Sequence, residues 1–276
     1  MVCQCPVVAS REFVAATETQ QFAARHTRRL SRSLALQVNR ALELCDARAV
    51  HRLRVAIRRF TQAVAACKPC FSDKDLRKRR RRLKKIKSAA GEVRNYDVAQ
   101  KYLLRWRIPH AARLQEKVET RRQDAARVLV AELKRWTNRS LAVQDSPATP
   151  LRELEQHALD RLAKDFLERG NEASSAKASP HAMHDFRIVA KKYRYTLELF
   201  QPSSPLAASI KRVSALLGDI NDCVTAAEIV PALASRLKKR QRKKIEAFRQ
   251  YWTAEFAKPR KKPVASAPAN RRRSAA

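Results

Sequence analysis

The chain has 276 residues, only 3 of them glycine, and Lys+Arg 60 against Asp+Glu 26 gives a formal net charge of +34. So little glycine disfavours a fold of strands joined by tight turns, and the abundance of Ala, Leu, Arg, Lys, Glu and Gln favours an all-α fold. The charge far exceeds what solubility asks for, and such an excess repels itself unless a polyanion neutralises it: nucleic acid, an anionic membrane surface or an inorganic polyanion. Residues 1–9 read as a flexible start. A first helix is predicted from Arg11 towards Leu44, and Asp46 is placed to cap a second over Ala47 to Cys67. Pro69 ends it. A third is expected from Ser72 or Asp73 to about Gly91, with further helices over 95–107 and 109–138. Residues 144–150 hold two prolines and form a linker. Helices are then expected over 151–169, 181–200, 206–218 and 221–256, with a polar loop at 170–180. The stretch 257–276 reads as a disordered basic tail.

The domain division follows: a first helical bundle over 10–143 and a second over 151–256. No opening segment has the form of a signal peptide, and no run is long and apolar enough to span a membrane. Cys3, Cys5, Cys45, Cys67, Cys70 and Cys223 read as free thiols, which places the chain in the cytoplasm. Cys67-Lys-Pro-Cys70 is a lone CxxC without the spacing of a zinc site or the βαβ context of a redox motif. No metal and no cofactor is implied.

An internal repeat is the most informative feature. His51-Arg-Leu-Arg54-Val-Ala-Ile-Arg58-Arg59-Phe60 has a counterpart in His184-Asp-Phe-Arg187-Ile-Val-Ala-Lys191-Lys192-Tyr193. A second pair follows in the same order: Gly91-Glu-Val-Arg94-Asn95 matches Gly218-Asp-Ile-Asn221-Asp222. At about 100° per residue, His51, Arg54 and Arg58 share one face, and Leu53, Ile57, Phe60 and Val64 another. His184, Arg187, Lys191 and Arg194 likewise lie apart from Phe186, Ala190, Tyr193 and Leu197. Arg77, Arg80, Lys84, Lys87 and Arg94 lie on one face of the third helix, with Gly91 among them. Half of the run Arg77 to Arg82 is expected to point into a groove. A glycine within a basic face lets a ligand or another helix approach closely. Arginine forks onto phosphate oxygens and lysine supplies a point charge, so these faces suit a string of phosphates. Trp106, Trp136 and Trp252 read as core or interface, and 238–244 as an electrostatic surface.

At these residues the chain resembles the CHAD family, the conserved histidine α-helical domain, over roughly 11–256. Leu83-Lys-Lys-Ile86 before Gly91-x-x-Arg94, Lys191-Lys-Tyr-Arg-Tyr195 with Glu198, and Leu217-Gly-Asp-Ile-Asn-Asp222 add to the likeness. The chain departs from the family pattern at Thr61, where a basic residue is usual, and at Asn95, where Asp is. The resemblance implies two repeated four-helix bundles about a pseudo-twofold axis, with a basic central groove that binds inorganic polyphosphate. It implies a link to polyphosphate granules. By matching position, the binding residues it implies are His51, Arg54, Arg58, Arg59, Lys84, Lys87, Arg94, His184, Arg187, Lys191, Lys192 and Arg194. A bound polyanion would favour the charged histidines, so binding is expected to tighten from pH 8 to 6.

Two other readings stand beside this one. A nucleic-acid binder fits the total charge, but a duplex is too wide for a groove inside paired bundles; the basic tail is expected to bind nucleic acid weakly at most. A phosphoanhydride-acting enzyme would need carboxylate-held metal and a positioned nucleophile. Asp219, Asn221 and Asp222 come nearest, and they read as caps and structural hydrogen bonds. The expected protein is therefore not an enzyme. Homodimerisation stays open, since no exposed apolar stripe demands it.

Overall fold

The computed structural model describes residues 7–106, 111–136, 141 and 149–257, with side chains from Glu18 onward. Those residues form eight α-helices and no strand: α1 (Val7–Glu43), α2 (Ala47–Ala66), α3 (Asp73–Arg105), α4 (Ala111–Lys134), α5 (Leu151–Ser174), α6 (Pro180–Phe200), α7 (Pro205–Ile229) and α8 (Ala234–Glu255). The expected all-α class holds. Within the first four, α1 packs on α2, α2 on α3, α3 on α4 and α4 on α1; the same order of pairing recurs from α5 to α8. The two sets meet where α2 packs on α6 and α3 on α7.

Local chemistry explains most boundaries. The Asp46 carboxylate accepts from the Ala49 amide at 2.6 Å, so the predicted cap starts α2. Ser179 caps α6 in the same way, accepting from Ala182 at 3.0 Å, with Pro180 in the first helical turn where no donor is missed. Between α1 and α2 the chain turns sharply at Cys45, whose φ of 44° lies in the left-handed region. That turn is held from outside. Arg122 of α4 donates through Nη2 to the Cys45 carbonyl at 2.8 Å and through Nε to the buried Asp97 of α3 at 2.8 Å. One guanidinium thus fixes where α2 begins, and α2 carries the first repeat motif.

The structure corrects several expected boundaries. α1 is already helical at Val7, inside the expected loose start. α3 does not end near Gly91; it runs unbroken to Arg105, because Ala90, Val93, Val98 and Ala99 keep that stretch buried against neighbouring helices. A mid-helix glycine costs up to about 1 kcal/mol, which this packing outweighs. α5 likewise continues through Gly170 to Ser174. The Trp252 ring fills the space beside Gly170, where a Cβ would lie 1.9 Å from it. In α7 the helix passes Gly218 between buried Leu217 and Ile220, and the break comes later, at Pro231. Residues 1–6, most of the 144–150 linker and 258–276 of the expected tail lie outside the described residues.

Four apolar clusters organise the molecule. One lies within α1–α4, around Leu34, Leu53, Ile57, Phe60, Ile86 and Leu129. Its counterpart within α5–α8 holds Phe166, Phe186, Leu217, Phe248 and Trp252, and is rich in tilted and edge-on ring contacts. The other two bridge the halves. Val98, Tyr102 and Leu103 of α3 pack with Cys223, Ala226 and Leu237. Ala63 and Ala66 of α2 pack with Leu154, Leu199, Cys70 and Phe71. Trp252 is core as expected, and Trp106 and Trp136 are half-buried against the clusters. Cys45, Cys67, Cys70 and Cys223 are free thiols. Among the described residues no helix is long and apolar enough to cross a membrane.

Candidate cation-lined binding site

The inward faces of α2, α3, α6 and α7 carry the charge. His51, Arg54 and Arg58 come from α2, Lys87 and Arg94 from α3, Arg187, Lys191 and Lys192 from α6. They stand close enough to act on one another electrostatically across the interface between the halves. Opposite them is one carboxylate, Asp222 of α7, which faces Arg94, Arg187 and Lys101. The site therefore holds seven cationic side chains, His51 aside, against one acid among the described residues.

That crowding shows in the titration of the groups. Burial, then Arg187, Arg58 and Arg54, pushes the Lys191 ammonium down to about 6. Lys87 is pushed down by its partly buried position and by Arg58, Arg54, Lys192 and Arg187. Around His51 the packed protein comes first, then Arg94 and Arg58, and together they hold the ring below its ordinary pKa although one edge stays exposed. Arg54 and Arg187 are lowered too, chiefly by burial, but a guanidinium starts so high that both stay charged at neutral pH. Asp222 is raised, because burial outweighs the cations that favour its charged form. Burial is the first cause of every one of these shifts, and the neighbouring cations add to the lowering of Lys191, Lys87, Arg54, Arg187 and His51.

Gly91 explains how Arg54 fits. A Cβ there would lie 2.8 Å from the Arg54 Nη1, so the guanidinium lies over the bare backbone of α3. The glycine in the basic face thus admits a side chain of the partner helix. At the matching Gly218 nothing lies within 4 Å. Beside it is a cleft of about 140 Å³ between α6, α7 and α8, lined in part by His184, Arg187, Asn221 and Gln241. The Arg187 Nε is buried without a hydrogen-bond partner. The first half-site is filled by its own arginine, while the second keeps an open notch.

Not every predicted residue joins the cluster. Arg59 and Arg194 both pair with Glu198, at 3.0 and 3.4 Å, and both guanidinium groups lie over the Tyr195 ring. They tie α2 to α6 together with the Gln62–Thr196 hydrogen bond. Lys84 is exposed on α3 and His184 lines the notch. Of the run Arg77 to Arg82, the residues that turn inward meet protein: Arg79 lies over Phe60 and Trp136, and Arg82 pairs with Glu132 at 2.8 Å. The other four are exposed. Asp219 pairs with Lys244 of α8 at 2.6 Å. Asp222, the acid inside the cluster, was not singled out as a binding-site member; its signal was its place opposite Asn95 in the repeat. Thr61 turns its hydroxyl back to the Ile57 and Arg58 carbonyls, so no cation stands there.

The CHAD domain family model matches residues 27–231, well over half of the chain. The chain belongs to the CHAD family. Two solved structures share the fold. One is "PptA from Streptomyces chartreusis", with a TM-score of 0.59 and 19% identity over 85% of this chain and 99% of that one. The other is the crystal structure of the CHAD domain from the plant Ricinus communis, with a TM-score of 0.58 and 18% identity over 86% of each chain. A comparison with curated proteins gave no match. The matched segment contains α2, α3, α6 and α7 in full, so every helix that supplies the cation cluster lies within the family region.

Proposed function

We propose that this chain binds inorganic polyphosphate, without chemical turnover, in the cation-lined site between α2, α3, α6 and α7. The observation that carries the reading is the imbalance of the site: seven cations from three helices face one another and, among the described residues, one carboxylate. A charge drawn partly out of water without a partner is costly, and Arg54, Arg58, Arg94, Arg187 and Lys191 are half-buried here, while Lys87 and Lys192 stay exposed. Here the missing counter-charge has to be long and polyanionic. Arg54 and Arg58 stand one helical turn apart, as do Arg187 and Lys191, about 6 Å at 1.5 Å per residue, so successive cations would meet phosphates spaced along one chain rather than adjacent ones. The acids nearby are already engaged, Asp219 by Lys244 and Asp222 by the cluster. On this reading the protein associates with polyphosphate granules.

Calorimetric titration with long-chain polyphosphate at 0.15 and 0.5 M salt tests the proposal, with duplex DNA and RNA as competitors and Arg54→Ala/Arg187→Ala beside the wild type. Binding that persists in high salt, outcompetes DNA and collapses in the double variant supports the site. Equal binding of all polyanions, lost in high salt and indifferent to the variant, refutes it. The exposed Arg242, Lys238, Lys239 and Lys243 of α8 would then be the better place for a sequence-blind nucleic-acid surface.

A further inference from the structure

A second basic surface lies away from this site. Arg25, Arg28, Arg29 and Arg32 of α1 line a concavity of about 800 Å³, whose wall also carries Phe22, Leu151 and one acid, Glu18. All four arginines are exposed, and no carboxylate among the described residues pairs with any of them. Their spacing of three, four and seven residues places them on one helix face over about 10 Å. They share no lining residue with the notch at Arg187 and come from a helix that contributes nothing to the central cluster. α5, which holds the corresponding place in the second half, has no such stripe: its Arg152, Arg161, Lys164 and Arg169 are outnumbered by Glu153, Glu155, Asp160, Asp165, Glu168 and Glu172. The stripe is thus an addition to one half and no echo of the repeat.

We infer that this α1 concavity is a second polyphosphate-binding site, so that one molecule holds two polyphosphate segments at once and can bridge two chains. The inference rests on the reading of the central site as a polyphosphate site. Charge selects a polyanion, and the walls narrow the choice. Phe22 is half-buried and already engaged with two rings, stacked on Phe200 at 5.2 Å and tilted against His26 at 4.3 Å, so it is poorly placed to stack on a nucleobase. Phe22 and Leu151 are half-buried, and Leu36, one turn beyond Arg32, is the one large apolar side chain exposed near the stripe, too little apolar surface to enter a membrane. What remains is recognition of phosphate oxygens by guanidinium groups alone.

The test uses the full chain and a short polyphosphate of defined length. Isothermal titration is expected to give two bound chains per wild-type molecule. Arg25→Ala/Arg28→Ala/Arg29→Ala/Arg32→Ala is expected to bind one, with the remaining affinity within about twofold of the central site. Arg54→Ala/Arg187→Ala is expected to keep the α1 site. With long-chain polyphosphate, light scattering from bridged assemblies is expected for the wild type and not for the quadruple variant, because one-site molecules cannot cross-link. A wild-type stoichiometry of one, lost only in the Arg54/Arg187 variant, overturns this inference and leaves the central site standing. Binding untouched by either variant overturns both. Loss of single-stranded oligonucleotide binding in the quadruple variant, with polyphosphate stoichiometry still two, overturns the assignment of the ligand. The four positions are exposed, so unchanged helical circular dichroism is expected; the pair Arg28→Gln/Arg32→Gln gives the same readout with less perturbation.

Discussion

Lys191→Met isolates the energetic cost of the cation cluster. In the folded chain the ammonium titrates at about 6, against 10.5 for an unperturbed lysine, because burial and then Arg187, Arg58 and Arg54 disfavour its charge. Above the unfolded value the amine is neutral in both states and costs nothing. As pH falls towards 6, the unfolded chain takes up a proton that the folded chain refuses, so folding loses stability steadily; below 6 the penalty is complete and constant. At about 1.4 kcal/mol per unit, the ceiling over this window is roughly 6 kcal/mol. Buffer anions gathered at the cluster screen part of it, and about 3 kcal/mol at pH 7.5 is the expected gain on removing the amine. Methionine keeps the length of the stem and adapts to the packing. A gain of that size raises Tm by roughly 6–12 °C in a chain of this length. Thermal and urea unfolding of both proteins between pH 6 and 9, in low-salt, phosphate-free buffer, checks it, with the difference between them widening as pH falls. A variant no more stable than the wild type, or two parallel pH profiles, refutes the claim that Lys191 is held against its charge.

Three further predictions bear on the ligand. Gly91→Ala displaces the Arg54 guanidinium, whose Nη1 lies 2.8 Å from the new methyl, while Gly218→Ala meets nothing within 4 Å; both gain helix propensity of up to about 1 kcal/mol, but only Gly91→Ala is expected to weaken polyphosphate binding, by roughly five- to tenfold, in a calorimetric comparison of the two. Binding is expected to tighten from pH 8 to 6 with net proton uptake, because a polyanion restores the charge of Lys191 and His51, both lowered in the free protein; titration in buffers of different ionisation enthalpy measures the protons, and no uptake contradicts it. Asp222→Asn removes the one acid facing the cluster, so polyphosphate affinity is expected to rise about three- to tenfold while unfolding without ligand becomes no easier, because burial disfavours the charged carboxylate more than the cations favour it; weaker binding argues that Asp222 orients the cations rather than opposing the ligand.

Much of this was legible in the sequence, for physical reasons that can be named. The all-α class followed from the glycine count, and the repeat located Arg54, Arg58, Arg187 and Lys191, because a cation on the face opposite Leu53 and Phe186 has to leave the core. Glycine was read less well. At Gly91 and Gly218 it was taken as a helix end, and at Gly170 as the start of a loop. In each case tertiary packing carries the helix through, and only Pro231 breaks one. The role of Arg59 and Arg194 was hidden because their partner, Glu198, reaches Arg59 from another helix. The arginines of α1 were visible as a spacing, but the concavity they line, with Glu18 as its one acid, belongs to the fold.

The pairing of each arginine, rather than its place on a basic face, separates the cations that hold the molecule together from those assigned to the proposed ligand. Arg122 meets Asp97, Arg82 meets Glu132, Arg59 and Arg194 meet Glu198, and Lys244 meets Asp219. All but the Arg194–Glu198 pair, which lies within α6, join two helices, and each gives its charge a counter-charge within 4 Å. Arg54, Arg58, Lys87, Arg187 and Lys191 have no such partner, and they stand where the two halves of the molecule meet. Repulsion among them opposes the docking of α2 on α6 and of α3 on α7. A polyanion in their midst reverses that term, so ligand affinity and the stability of the interface rise together. At a hundredfold excess over Kd, binding to the folded state alone adds about 2.7 kcal/mol. The bridging cores around Tyr102 and Ala63 must therefore hold the halves together until the ligand arrives, which is why apolar packing flanks the charged site.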